Sequence, residues 1–189
     1  DLLFRVEKVA KVMRSVGIVP ARRGTARGLL DDGRKMLVFP GGDIENMRPY
    51  RDRRKIVLAG RTGFLRQAIR TGAPIIPVVG AGNHETLMVL SQGRKLAQRL
   101  KLDRLFRIHS LPILLAAPWG ILIGPTCALP YLPLPSKVTV ELGYPIETGR
   151  RDPTGGSERR VSILYRHVEL TMQRMLDALY EERRYPVVG

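Results

Sequence analysis

The run Leu37-Val38-Phe39-Pro40-Gly41-Gly42-Asp43-Ile44-Glu45 carries an apolar stretch into a Pro-Gly-Gly corner and sets a carboxylate three residues beyond it. Apolar residues bounded by turn formers read as a strand, here a buried one over 36–39. Glycines at a strand end let backbone amides approach a ligand closely, as an anion-binding turn requires. Two further runs have the same character, 75–79 before Gly80 and 137–142 before Gly143, the first of them buried. Around them lie helical patterns at 2–15, at 25–32 closed by Gly33, at 62–71 closed by Gly72, and at 86–100. The order is βαβ-like and predicts an α/β fold with a central, mostly parallel β-sheet covered by helices.

Outside these runs the chain offers no repeat, low-complexity tract or linker, so its 189 residues read as a single domain, 1–189, with a core over about 12–148. After Thr154-Gly155-Gly156-Ser157, the residues Val161, Leu164, Val168, Met172, Met175 and Leu179 recur at spacings of three and four. That spacing predicts a C-terminal amphipathic helix over about 157–184 whose stripe packs on the sheet in preference to the alternative, a membrane. The segment 111–135 differs: it is apolar but broken by prolines at 112, 118, 125, 130, 133 and 135, which forbid one continuous helix. With Trp119 and Tyr131 it suits a loop shallowly inserted at a membrane interface, and it suits equally a buried crossover.

Charge narrows the partners. The 32 Lys and Arg outweigh 17 Asp and Glu, a formal charge of +15, so the surface attracts phosphorylated ligands, anionic headgroups or nucleic acid. Cations gather near the glycine corner, Arg22, Arg23 and Arg27 before it and Arg48, Arg51, Arg53, Arg54 and Lys55 after it. By themselves, such a run also fits a solvated face and Pro-Gly-Gly a plain turn. The single Cys127 cannot form an internal disulfide, which excludes a disulfide-stapled scaffold. Gly80-Ala81-Gly82-Asn83-His84-Glu85 lacks the third glycine of a dinucleotide fingerprint, and no Gly-Lys-Ser/Thr phosphate loop occurs. His84, His109 and His167 are too isolated for a zinc set, so no metal is expected. No run reaches the ~18–20 apolar residues of a spanning helix, and a start at Asp1 without a signal segment reads as a processed or truncated product.

Five ordered blocks carry a resemblance. They are Gly17-Ile-Val-Pro-Ala-Arg22; Leu29-Leu30, Gly33 and Leu37-Val-Phe-Pro-Gly-Gly42 with Glu45; Arg61-Thr-Gly-Phe64; Gly72-Ala-Pro-Ile-Ile-Pro-Val78; and Leu134-Pro-Ser-Lys-Val-Thr-Val-Glu-Leu-Gly-Tyr-Pro-Ile146. Together they resemble the glycerolipid acyltransferase superfamily from about Val12 to Glu147, and within it the mono/diacylglycerol acyltransferase branch and its bacterial relatives. The lysophosphatidate branch instead usually carries a Glu where this chain has Gly41.

The resemblance implies transfer of a fatty acyl group from a thioester, acyl-CoA or acyl carrier protein, to a hydroxyl of a glycerolipid or lysophospholipid, with no other cofactor. It implies that Arg22 contacts a polar or phosphate group of the acceptor, while Phe39, Pro40, Gly41, Gly42 and Glu45 shape the acceptor pocket. For Glu45 a local ion pair with Arg48 or Arg51 is the bland alternative. In the family a His-x-x-x-x-Asp pair removes the acceptor's proton. Here the position five residues on is Val89 for His84, Leu114 for His109 and Met172 for His167, so the pair is absent and no catalytic residue is assigned. Its place in the family precedes the glycine corner by several tens of residues, beyond Asp1, so this chain by itself is expected to be inactive. His84 is the tempting substitute, but it follows the second strand, where the family has no base. The expected setting is the cytoplasmic face of an anionic membrane, with no nucleic acid. The rival is a non-catalytic module binding anionic lipid or nucleic acid, although aromatics are only 6% and no stacking platform is evident.

Overall fold

The structure, a computed structural model, describes residues 7–20, 23–93, 112–124, 132–185 and 187. Where the sequence reads as one domain, the chain divides into two compact units, each assembled from three segments. The first comprises Asp1–Phe39, Arg61–Ile75 and Pro145–Tyr165; the second comprises Pro40–Gly60, Ile76–Tyr144 and Arg166–Gly189.

Helices dominate the first unit. Helix α1 spans Glu7–Ser15, α2 Arg23–Asp31 and α4 Gly63–Thr71, with α2 and α4 in contact. The stop after α4 is local chemistry: Gly72 takes a left-handed φ of +72°, and the Ala73 N–H donates to the Ala68 carbonyl at 3.1 Å. Glycine tolerates that backbone because it has no Cβ. Leu65, Ala68 and Ile69 of α4 are buried, as are Ile146, Val161 and Leu164. The Ile75–Ile146 bridge closes the unit through reciprocal backbone bonds of 2.9 and 2.8 Å. Helix α6, Glu158–Glu182, starts here, and Arg66 of α4 pairs with Glu158 in its first turn.

The strands lie in the second unit. Strand β1, Val78–Ala81, pairs antiparallel with β5, Thr139–Leu142, in the register Val78 to Leu142. Strand β2, Met88–Ser91, β3, Ile113–Ala116, and β4, Gly120–Ile123, form an antiparallel sheet in that order. Two short helices, α3 over Gly42–Asn46 and α5 over Asn83–Thr86, and a 3-10 turn over Tyr50–Asp52 complete the unit. The second part of α6 buries Val168, Leu176 and Tyr180, the last two clustered with Ala81, Ile56 and Leu179. Gln173 fastens α6 to residues 54–56, accepting from the Ile56 N–H at 2.9 Å and donating to the Arg54 carbonyl at 2.7 Å.

Four expectations need correction. Every strand pair among the described residues is antiparallel, so the central, mostly parallel sheet is not seen there. Residues 36–39 form no strand, and Leu37, Val38 and Phe39 are exposed rather than buried. An apolar run becomes a strand only where a neighbour completes its ladder, and no described strand pairs with it. The helix expected over 86–100 gives way to β2, because Met88 and Val89 find Leu115 and Leu114 opposite them; 94–100 lie outside the described residues. The segment 111–135, expected as a loop or crossover, holds the β3–β4 hairpin. Its prolines at 112 and 118 fall before β3 and in the turn, where no ladder donor is lost.

Ile69 is fully buried in α4. Ile69→Ala is expected to destabilise the protein by about 2–5 kcal/mol, read from urea unfolding, and a change below about 1 kcal/mol would refute this core assignment.

Candidate functional site

The glycine corner opens the second unit. Gly41 is buried, and a Cβ built on it would lie 2.2 Å from the Val57 carbonyl oxygen and 2.3 Å from Glu45 Oε2. Only a residue without a side chain allows this approach. Gly42, with φ of +52°, starts α3, and the Glu45 N–H reaches the Gly41 carbonyl at 3.3 Å. The turn therefore folds the Glu45 carboxylate back over Gly41, and the partly buried Glu45 has its pKa raised by desolvation, opposed by the nearby Arg48 charge.

One turn further on, Arg48 is only 6% exposed. Its Nη2 donates to His84 Nε2 at 2.7 Å and to the Arg53 carbonyl at 3.3 Å, whereas Nε and Nη1 are buried without a hydrogen-bond partner. Burial lowers its pKa, and Glu45, Tyr180 and Asp52 act in the opposite direction. A guanidinium cannot accept a hydrogen bond, so Nε2 of His84 is the acceptor and the neutral ring carries its proton on Nδ1. Burial, and then the Arg48 charge, push the His84 pKa down to about 4. Such an imidazole, its lone pair already engaged by a cation, is a weak base at neutral pH.

Beside His84, the Glu85 carboxylate is 3% exposed and is held by Arg183 Nη2 at 2.5 Å and Ser136 Oγ at 3.2 Å, with Arg53 Nε at 3.9 Å. Arg183 also donates to the Lys137 carbonyl, and Arg53 stacks over the Tyr50 ring at 4.1 Å. Two guanidinium groups, those of Arg183 and Arg53, thus face the buried Glu85 carboxylate, while Arg48 holds the neighbouring His84. Arg48 itself keeps Nε and Nη1 unmatched, and Glu45 and Asp52 are the carboxylates whose charge acts on it.

Among the residues expected to bind substrate, Pro40, Gly41, Gly42 and Glu45 come together in this corner. Phe39 belongs to the first unit and is 75% exposed. Arg22 lies outside the described residues. Arg48 was visible only as one member of a basic run, Ser136 only as one residue of the block 134–146, and nothing in the sequence marked Arg183. No group of three or more His, Cys, Asp or Glu able to hold a metal occurs among the described residues. No described helix is long and apolar enough to cross a membrane.

The profile of the family described as diacylglycerol acyltransferase matches residues 2–184, nearly the whole chain. The chain belongs to the diacylglycerol acyltransferase family. An uncharacterized protein of Mycobacterium tuberculosis is 32% identical over 185 residues, 97% of this chain and 48% of that protein. Diacylglycerol O-acyltransferase 2-like protein 6 of Mus musculus is 27% identical over 163 residues, 74% of this chain and 48% of the relative. Diacylglycerol O-acyltransferase 2 of Xenopus laevis is 24% identical over 159 residues, 74% of this chain and 44% of the relative. The chain spans about half the length of the curated relatives it matches. No solved structure matches it significantly. In this chain the glycine corner of the second unit is lined by Glu45, with the buried Arg48 and its half-buried partner His84 beside it.

Gly41→Ala is expected to destabilise the protein by at least about 1–3 kcal/mol, because the Val57 carbonyl is backbone and cannot rotate aside; an unchanged urea midpoint would refute the packing. The His84 pKa in the folded chain lies below the ordinary 6.5. Its contribution to stability is therefore full above pH 6.5 and is lost as the pH falls through about 4. In an NMR titration the His84 ring should show a midpoint near 4, moving upward in Arg48→Ala; a midpoint at 6.5 would show that the ring is neither desolvated nor paired.

Proposed function

We propose that this chain forms part of an O-acyltransferase that moves a fatty acyl group from an acyl thioester, acyl-CoA or acyl carrier protein, to the free hydroxyl of diacylglycerol or a related glycerolipid. The observation that carries this reading is the family match over residues 2–184. In the reaction the acceptor oxygen attacks the thioester carbonyl, an ester C–O bond forms, the C–S bond breaks and the thiol leaves, while the hydroxyl proton passes to a base. His84 does not serve as that base, since its acceptor nitrogen is held by Arg48. With no histidine followed by aspartate five residues on, the reading places the base outside these 189 residues.

The chain's own contribution is the acceptor side. Gly41 lets Glu45 fold back against the Val57 carbonyl, Glu45 supplies a carboxyl whose charged form is disfavoured by burial, and Arg48 holds positive charge beside it. Charge fixed in a poorly solvated site is suited to the negative charge that develops on the attacked carbonyl oxygen or that a phosphorylated donor carries. The formal charge of +15 supports work at the cytoplasmic face of an anionic membrane, where each cation near the surface contributes ~1 kcal/mol.

The full-length protein, given acyl-CoA and diacylglycerol, should release free CoA and form triacylglycerol. Arg48→Gln is expected to lower kcat by about tenfold or more, with Arg48→Lys recovering part of it because the charge is retained. No transfer to diacylglycerol, monoacylglycerol or lysophospholipid would sink the reading. Equal loss in the Lys and Gln variants with lowered unfolding midpoints would reduce Arg48 to a structural role.

A further inference from the structure

An antiparallel sheet that faces water on one side normally alternates apolar-in with polar-out. The β2–β3–β4 sheet does not. Val89, Leu114 and Ala116 turn to the buried side, as the alternation requires. The opposite side carries Met88, Leu115 and Ile121 in one cross-strand row and, in the next, Ile113 and Ile123 beside Ser91, its one polar residue. None of the three strands contains a charged residue. Ile121 is 64% and Ile123 60% exposed, and Trp119, in the β3–β4 turn, is 52% exposed. Contiguous apolar surface of this kind marks a site of contact.

The surroundings indicate what makes that contact. The 3-10 turn Tyr50–Asp52 packs beside β2, and exposed Arg51 and Lys55 gather there around the single carboxylate of Asp52. An uncharged apolar face, an indole at its leading turn and cations along its flank form the pattern of a surface seated at the headgroup level of a bilayer. A second copy of the chain would bring another +15 charge to the same place, whereas an anionic bilayer complements it. We propose that the outer face of the β2–β3–β4 sheet, led by Trp119, docks on an anionic lipid bilayer. This rests on the membrane-surface part of the proposed function and not on acyl transfer.

Trp119 is the chain's single tryptophan, so its fluorescence reports on this face alone. With vesicles of phosphatidylcholine and phosphatidylglycerol, the 189-residue chain should sediment, shift its emission to the blue and be quenched by lipids brominated along the acyl chain. Pure phosphatidylcholine should bind it more weakly. The double variant Ile121→Ser/Ile123→Ser should lower vesicle affinity tenfold or more without moving the thermal midpoint, because both side chains face solvent. Arg51→Gln/Lys55→Gln should flatten the salt dependence. Should the serine variant lose its fold, Trp119→Ser read by sedimentation replaces it, with the same loss expected. Sedimentation with Trp119 emission unchanged would overturn this face while leaving the membrane reading intact, and no sedimentation would overturn both. A lipid-free blue shift that grows with protein concentration, together with dimers in ultracentrifugation, would make the face a self-association surface and overturn the inference. Loss of acyl transfer alone leaves it standing.

Discussion

Burying a carboxylate is costly unless cations and donors replace its water, and the second unit is arranged around that requirement at Glu85. Arg183 comes from beyond the end of α6, Ser136 from the segment leading into β5, and Arg53 from beyond the 3-10 turn. Three distant parts of the chain are thereby held at α5, the turn that carries His84. Gln173 adds a second tie from α6 to residues 54–56, the stretch that runs toward Val57 and so toward the wall against which Gly41 sits. The position of the glycine corner is thus a consequence of how a buried charge is satisfied elsewhere in the same unit.

The same cluster explains why its two nearest titratable groups shift as they do. Desolvation acts on both, disfavouring the ionised carboxylate of Glu45 and the ionised imidazole of His84. Arg48 then separates them: its charge favours the Glu45 anion and further disfavours the His84 cation. Near neutral pH this leaves positive charge concentrated on a guanidinium with two unmatched donors and none on the ring beside it. The guanidinium is therefore the group that can meet negative charge there, and the imidazole is not the group that accepts a proton.

How much of this was legible followed the range of the interactions. Helices α2, α4 and α6 declare themselves through three- and four-residue spacing and, for α2 and α4, glycine stops, all of it local; the structure places them at Arg23–Asp31, Gly63–Thr71 and Glu158–Glu182. Strand β2 does not, because Met88-Val89-Leu90 suits a helical pattern equally well until Ile113–Ala116 arrives to pair with it. Residues 36–39 fail in the opposite sense, with strand composition but no described partner. In the site, Gly41, Gly42 and Glu45 could be found because a glycine turn followed by a carboxylate is a local arrangement. Arg183 could not, since it meets Glu85 across 98 residues of chain. Arg48 stood in plain view among five neighbouring cations, and what sets it apart, burial against His84, is a property of the fold.

Gly41 also bears on which branch of the acyltransferases the corner can serve. A glutamate at this position would require a Cβ where the Val57 carbonyl oxygen lies 2.2 Å away and a carboxylate where Glu45 already places one. Truncating Glu45 would remove the second obstacle but not the first, because the first is backbone. The corner must therefore open, with the residues around Val57 displaced, before it can present a carboxylate from position 41. Glycine at 41 and the carboxyl at 45 are two parts of one packing solution, in which the acidic group reaches the corner from one helical turn later and over a backbone kept bare for it.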